Sequence, residues 1–501
     1  MSKLDRRSLL RTGGGLLAAG SVGAVLPASV ASAGEVDRPA GRGSGGPVRN
    51  ADDGALTTRN PLVERRADPW ITRPVDGMYY LTGSVPEYDR IVVRGAPTLD
   101  GLAETRERTI WRRPSSGRMG GYIWAPELHR IDGRWYVYFA AGDADDPFRI
   151  RMYVLESAAA DPRADAWRLR GRLTTAWDTF ALDATTFEHR GRRYLVWAQH
   201  EPGIDTNSNL YIAEMDSPVA ITGDPVRIAV PTLPWEVRGF RVNEGAAVLV
   251  RHGRVFMTFS ASATDHRYCM GLLTADADAD LLDPASWTKS PEPVFVTDER
   301  TGRYGPGHNS FTVAEDGETD VLVYHARSYR DIDGDPLFDP NRHTRVQRLY
   351  WNEDGTPAFG VPVGEGGRIV RLSPSDARGA FVRHSDGVLR VTAGVSPLAA
   401  SQFRVVPGFL GAGTVALESV NRPERYARVD GDVVRLEPFA DTDAYGRAAS
   451  FVRTRGLHGH DGMSLRATDD PDRYLMHVDG GLTVSRPRDG HDRARATFLL
   501  D

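Results

Sequence analysis

One cysteine, Cys269, is the whole thiol content of the 501 residues, so no internal disulfide can form. Lysine is nearly missing as well: Lys3 and Lys289 are the two among 62 basic residues, which we read as a coding bias toward arginine. Neither charge sign is in marked excess, since 62 Lys+Arg face 67 Asp+Glu for a net charge of −5. That balance excludes a strongly basic nucleic-acid binder or a polybasic membrane protein. Beyond the N-terminus no run is long and apolar enough to span a bilayer. Turn formers and aromatics are plentiful, with 52 Gly, 32 Pro, 10 Trp, 17 Tyr and 17 Phe. Such a composition favours many short strands over a helical bundle and excludes a wholly disordered chain. The length implies about two to three domains.

Residues 1–33 read as an export signal. Arg6-Arg7-Ser8-Leu9-Leu10-Arg11 precedes an uncharged Gly/Ala-rich stretch, Thr12 to Gly34, that contains Ala31-Ser32-Ala33. A basic start, a weakly apolar middle and small residues before the cleavage point carry that reading. The paired arginines resemble a twin-arginine signal, which implies a secreted protein. The glycines and Pro27 argue against a membrane anchor. Residues 34–60 are rich in Gly, Pro, Ser and Arg without hydrophobic period and read as a disordered linker.

A repeat then sets in. Short β-like runs flank turn glycines Gly77, Gly133, Gly191, Gly253 and Gly317, which stand 56, 58, 62 and 64 residues apart. Examples are Gly133-Arg134-Trp135-Tyr136-Val137-Tyr138-Phe139 and Gly253-Arg254-Val255-Phe256-Met257-Thr258-Phe259. Hairpins of this kind, each followed by further strand-like runs, predict a five-bladed β-propeller over 61–373. A β-sandwich with coincidental spacing is the alternative. The last 120 or so residues carry a shorter period, with Phe381, Tyr426 and Tyr474 spaced 45 and 48 apart. Three strand–turn–strand units predict a β-trefoil over 374–501, so the whole chain reads as all-β.

In a propeller the first strand of each blade lines the channel, and its start faces one mouth. Eight or nine positions before the turn glycines stand Asp68, Trp124, Asp183, Glu244, and the pair His308 and Asn309. Three acids, a Trp and a His at equivalent strand starts form a convergent polar cluster with an aromatic wall. Two carboxylates across a pocket can divide the labour, one ionised to activate water and one protonated to donate to a leaving oxygen. A third acid keeps the donor protonated by like-charge repulsion. Inverting glycoside hydrolysis uses such a set, with about 6.5–9.5 Å between acid and base. Trp124 would offer a flat face to a sugar ring. Strand-start acids that merely satisfy turns or bind a structural cation are the competing reading.

Asp68-Pro69-Trp70, Trp124-Ala125-Pro126-Glu127-Leu128, Asp183-Ala184-Thr185, Asn243-Glu244-Gly245 and Gly305-Pro306-Gly307-His308-Asn309-Ser310 resemble glycoside hydrolase family 43. The resemblance is narrowest to its bacterial exo-acting α-L-arabinofuranosidases and runs from about Asn60 to about Ser373. It implies an inverting mechanism with Asp68 as general base, Glu244 as general acid and Asp183 as pKa modulator. It also implies that Trp124, Asn309 and Arg345 contact the sugar. His308 would hold a hydrated calcium or other cation on the propeller axis through water. No cofactor is required by the chemistry.

Phe403-Arg404-Val405-Val406-Pro407-Gly408, Glu418-Ser419-Val420-Asn421-Arg422-Pro423 and Ala496-Thr497-Phe498 resemble the arabinofuranose-binding trefoil, carbohydrate-binding module family 42. His384 and His477 stand where that family places sugar-binding histidines, while Val429 replaces the second. Ala400, Ala448 and Arg495 stand where the partner acids belong, so a structural role is as open as sugar binding. The partner implied is an arabinose-containing plant polysaccharide, arabinan or arabinoxylan, acted on by a monomer. A non-catalytic lectin, a β-xylosidase and an endo-arabinanase are the alternatives. His325 and His343 lack zinc-like spacing, and Cys269, in an apolar run, reads as a small buried hydrophobe.

Overall fold

The computed structural model describes residues 60–501 apart from 300, 353, 364–367, 396–397, 412, 421, 423–424 and 460–461. The expected signal, and all of the expected linker but Asn60, lie outside the described residues. Among the described residues no helix is long and apolar enough to cross a membrane.

Five antiparallel sheets follow one another along the chain. Blade 1 comprises Ala67–Ile71, Tyr79–Ser84, Arg90–Ala96 and Arg108–Arg112, and blade 2 Ile123–Ile131, Arg134–Ala141, Arg151–Ser157 and Arg168–Arg172. Blade 3 comprises Ala181–His189, Arg192–Gln199, Asn209–Ser217 and Ala220–Ala229. Blade 4 runs through Asn243–Arg251, Arg254–Ala261, Cys269–Asp276 and Thr288–Lys289, and blade 5 through Tyr304–Val313, Asp320–Arg327 and His343–Arg348. The first strands pack side by side in a closed ring, that of blade 5 returning to that of blade 1. This is the five-bladed propeller expected. Middle strands such as Arg134–Ala141 are buried on both faces between neighbouring blades, which is why they are almost continuously apolar.

The turn glycines do what a tight hairpin demands. Asp76-Gly77, Asp132-Gly133, Arg190-Gly191 and His252-Gly253 all have both residues left-handed, the mark of type I′ turns whose twist matches the flanking strands.

Blade 5 has three strands of its own, and the N-terminal segment takes the fourth place. The Leu62 amide donates to Thr344 O at 2.8 Å, and the Thr344 amide returns a bond to Val63 O at 2.9 Å. Asn60 clasps Val346, its Nδ2 on the carbonyl at 2.7 Å and its Oδ1 on the amide at 2.9 Å. Asn60 therefore belongs to the propeller and not to the linker. Leu62 and Val63 sink into one cluster with Ile71, Val321, Val323 and Val346, so the two ends of the ring share a core.

The C-terminal repeats form a second, closed sheet. Hairpins Phe381–Ser385/Val388–Thr392, Arg425–Asp430/Val433–Pro438 and Tyr474–Val478/Gly481–Ser485 pair with one another in a triangle, through Val388–Arg435, Arg390–Gly481 and Val433–Thr483. Each repeat supplies equivalent core residues, among them Phe403, Phe451 and Phe498, all buried in one cluster. The boundary expected at 373/374 is corrected. Leu372–Pro374 pairs with Phe498–Leu500 and Arg368–Val370 with Phe403–Val405, so this domain already begins at Arg368. Backbone hydrogen bonding, which the composition near Ser373-Pro374-Ser375 does not report, sets the limit.

Cys269 is buried on the third strand of blade 4, and burial pushes its thiol up to about 12. It is an unreactive apolar filler. The closing segment gives a stability test: Leu62→Ala should lower unfolding free energy by about 2–4 kcal/mol in urea titration, the loss expected for a truncated core leucine.

Candidate active site

Every inner strand carries the same irregularity. Two residues face one on the neighbouring strand between the pairs Ala67–Ser84 and Trp70–Thr82, Trp124–Ala140 and Glu127–Tyr138, and Leu182–Ala198 and Thr185–Val196. The same holds between Glu244–Ser260 and Ala247–Thr258, and between Gly307–His325 and Ser310–Val323. The first residue of each bulge is left-handed: Asp68 at φ 52°, Ala125 at 44°, Asp183 at 57°, Gly245 at 59° and His308 at 43°. A bulge re-aims the side chain it carries, and here five bulges re-aim residues toward one axis. Each non-glycine member costs about 1–2 kcal/mol of backbone strain. Asp68, Asp183 and His308 occupy the bulge position itself, whereas Trp124 and Glu244 precede it by one.

The bulge residues meet. His308 Nδ1 lies 3.3 Å from Asp68 Oδ1 and 3.9 Å from Asp183 Oδ2. Asp183 Oδ2 accepts the Gly245 amide at 3.0 Å, which fixes the backbone beside Glu244. Asp68 Oδ2 accepts the Ser84 hydroxyl at 2.6 Å, and Ser84 Oγ in turn accepts the Ala125 amide at 2.8 Å, tying blade 1 to the residue after Trp124. Arg342 Nη1 stands 3.5 Å from Asp68 Oδ1. Burial alone would raise the Asp68 carboxyl. His308 and Arg342, with the Ser84 hydrogen bond, outweigh burial and hold it well below the usual carboxylate range. His325 is itself kept neutral by burial, which depresses its pKa far below the usual value. Its Nδ1 accepts the Asp68 amide at 3.1 Å.

Glu244 is held from another side. Tyr268 donates its hydroxyl to Glu244 Oε1 at 3.0 Å, and the Tyr268 ring stacks on His325 at 5.7 Å and 6°. Burial, with the charges of Asp183 and Asp68, pushes the phenol far up, so it stays a donor. The Gly-Pro-Gly stretch before His308 is explained here, because a Cβ on Gly307 would stand 2.5 Å from the Tyr268 ring.

Trp124 belongs to a buried aromatic wall. It stacks on Tyr122 at 5.7 Å and 11° and meets Tyr88 and Phe148 edge-on at 5.9 and 6.0 Å. Phe338, 47% exposed, closes on Tyr122 at 5.7 Å from the blade 5 loop.

Two expected sugar contacts are placed elsewhere. Asn309, the second bulge residue, is buried and accepts the Thr258 hydroxyl at 2.8 Å within the blade wall. Arg345 is 0% exposed and reaches Val363 O at 3.4 Å. Arg342, three residues earlier, is the arginine beside Asp68. His325, set aside for want of zinc-like spacing, is part of the site, as are Ser84 and Tyr268. His325 faces Gly307 directly across the pair of strands, so pairing opposite the bulge is the signal that marks it. Among the described residues no group of three His, Cys, Asp or Glu side chains is arranged to ligate a metal directly. In the C-terminal domain His384 is buried, and His477 Nε2 bonds Asp376 Oδ1 at 2.9 Å, with Arg495 Nε 3.8 Å from the same carboxylate.

Behind Asp183 lies a neutral pair. Burial raises the Glu127 carboxyl well above its usual value, the Asp183 charge adding to it and a Thr185 hydrogen bond opposing it. Burial lowers His129 to about 3, and its Nε2 lies 3.0 Å from Glu127 Oε2. Glu127 therefore gains proton affinity on folding, and its contribution to stability falls as pH rises from the unfolded carboxyl value of about 4.3. Glutamine does not titrate. Glu127→Gln should raise the melting temperature relative to wild type more at pH 8 than at pH 4, as read by thermal scans at both.

Comparison with known proteins agrees with this geometry. Residues 58–357 match the family described as glycosyl hydrolases family 43, and residues 370–500 match the alpha-L-arabinofuranosidase B (ABFB) domain. A Streptomyces avermitilis protein named extracellular exo-alpha-(1->5)-L-arabinofuranosidase is 53% identical over 448 residues, 89% of this chain and 93% of that protein. Alpha-L-arabinofuranosidase 43 of Humicola insolens is 50% identical over 461 residues, 89% of this chain and 95% of that one. The crystal structure of an alpha-L-arabinofuranosidase from Lactobacillus brevis superposes with TM-score 0.60 at 55% identity, covering 62% of this chain and 98% of the other. The chain belongs to glycosyl hydrolases family 43 and carries an ABFB domain behind its propeller.

Proposed function

We propose that the chain is a secreted, exo-acting, inverting α-L-arabinofuranosidase that releases arabinose from arabinan or arabinoxylan. The observation that carries this is the joining of three acids from three blades around one axis through His308, Gly245 and Tyr268. Asp68, held ionised, takes a proton from water as its oxygen attacks the anomeric carbon. Glu244 gives its proton to the glycosidic oxygen, which leaves with the electron pair of the broken C–O bond. Asp183 fixes the backbone next to Glu244 and, as a nearby negative charge, favours the protonated acid. Trp124 and its wall supply the apolar face for the sugar, and the relatives named above act in the same substrate class. Each site side chain comes from one chain, so a monomer suffices. His308 would hold a hydrated cation through water, and such an ion would add positive charge at the axis. Secretion by the twin-arginine-like signal fits a relative named extracellular. We read the C-terminal domain as a β-trefoil, on its triangle of hairpins, with His384 and His477 as its candidate sugar contacts.

Asp68→Asn and Glu244→Gln should each lower turnover of α-1,5-linked arabino-oligosaccharide by about 10²–10⁴-fold while leaving the fold intact. Proton NMR of the wild-type reaction should show the β anomer of arabinose first, with arabinose and the oligosaccharide shortened by one unit as the early products. Arabinan binding without release would indicate a lectin, and early mid-chain fragments with little monosaccharide an endo-enzyme. The permanent charge of Arg342 favours ionised Asp68, so Arg342→Met should move the acidic limb of the kcat/KM profile to higher pH.

A further inference from the structure

Glu244 is held by more than the backbone bond between Gly245 and Asp183, and the additional support has a direction. The His308 amide donates to Ser260 Oγ at 2.7 Å. Ser260 Oγ and the Tyr268 ring flank Gly307, the residue before His308, where a Cβ would meet both. Tyr268 donates its own proton to Glu244 Oε1, 3.0 Å away. The phenol is thus the donor and the carboxyl of blade 4 the acceptor.

The tyrosine ring has little freedom to leave this line. His325 stacks flat on it, and the Tyr268 amide is anchored to Asp265 O at 3.1 Å. Gly307 lies so close that a Cβ there would come within 2.5 Å of the ring. Gly305, at φ 58°, would place a Cβ 2.2 Å from the same Asp265 carbonyl.

We propose that Tyr268 is a positioning residue whose hydroxyl proton is committed to Glu244 Oε1, so that the acid carries its transferable proton on Oε2. This rests on Glu244 being the general acid. When the Oε2–H bond breaks, the proton goes to the leaving oxygen, and the bond from that oxygen to the anomeric carbon breaks with its electrons on oxygen. The carboxylate left behind is the charge that the Tyr268 hydroxyl already faces. The bond is worth more to that carboxylate than to the neutral acid, so it strengthens as the proton departs.

Leaving-group dependence separates this role from simple packing. An arabino-oligosaccharide has a poor leaving alcohol and needs the acid, whereas 4-nitrophenolate leaves without protonation. Tyr268→Phe keeps the ring on His325 and Gly307. It should reduce kcat on α-1,5-arabinobiose by about 10–100-fold with KM nearly unchanged, and kcat on 4-nitrophenyl α-L-arabinofuranoside by less than about threefold. Gly307→Ala, whose Cβ would press on the Tyr268 ring, should give the same pattern more weakly, and it decides the matter should Tyr268→Phe fail to fold. Equal losses on both substrates, or none on either, would overturn the proposal. Glu244→Gln run on the same pair locates a failure. If it shows the leaving-group dependence and Tyr268→Phe does not, Tyr268 alone is misassigned; if neither shows it, the general acid is not Glu244.

Discussion

The contact of His308 with both Asp68 and Asp183 is the constraint on which the site depends. It joins blades 5, 1 and 3 across the axis at 3.3 and 3.9 Å. Neither distance is available to side chains on regular strands, because a regular pleat would alternate them into and out of the sheet face. The repeated left-handed bulge makes the meeting possible. It is a backbone device that is strained at four of five positions, and the closed ring of inner strands holds it in place. Strain of this kind persists where the surroundings over-determine it.

Electrostatics then divides the acids by their neighbours more than by their type. Asp68 lies among Arg342, His308 and a hydroxyl, and is held ionised. Glu127, equally buried but facing neutral His129 and negative Asp183, is held protonated. The two carboxyls sit close in the same fold and end in opposite states because one has a guanidinium beside it and the other has none. Keeping Glu127 neutral also spares Asp183 a second negative charge behind it.

Much of this was legible in the sequence, for reasons that are local. Hairpin turns announce themselves through left-handed pairs such as Asp132-Gly133 and His252-Gly253, so blade number and spacing could be read directly. The acids were found because counting back from those turns lands on the bulge. Counting back eight or nine positions reaches the bulge or the residue before it: Asp68 at nine and Asp183 at eight sit on the bulge, and Trp124 and Glu244, both at nine, stand one place before it. Partners from neighbouring strands were not legible. His325 reaches the site from a second strand, and Tyr268 and Arg342 from the residues just before third strands, where sequence distance carries no register. Arg345 and Asn309 each sit near a site residue in sequence, while Asn309 accepts the Thr258 hydroxyl and Arg345 reaches Val363 O.

The seam that closes the propeller lies close to the chemistry. Thr344, which pairs with Val63, also donates its hydroxyl to Arg66 O at 3.0 Å, and the Arg65 amide bonds His343 Nδ1 at 2.8 Å. Two residues farther along stands Asp68. Partners in this zipper are as much as 286 positions apart, so it is completed only after the last blade exists. Fraying there would loosen Asp68 before any blade melts, making heat inactivation an early and local event that precedes collapse of the molecule.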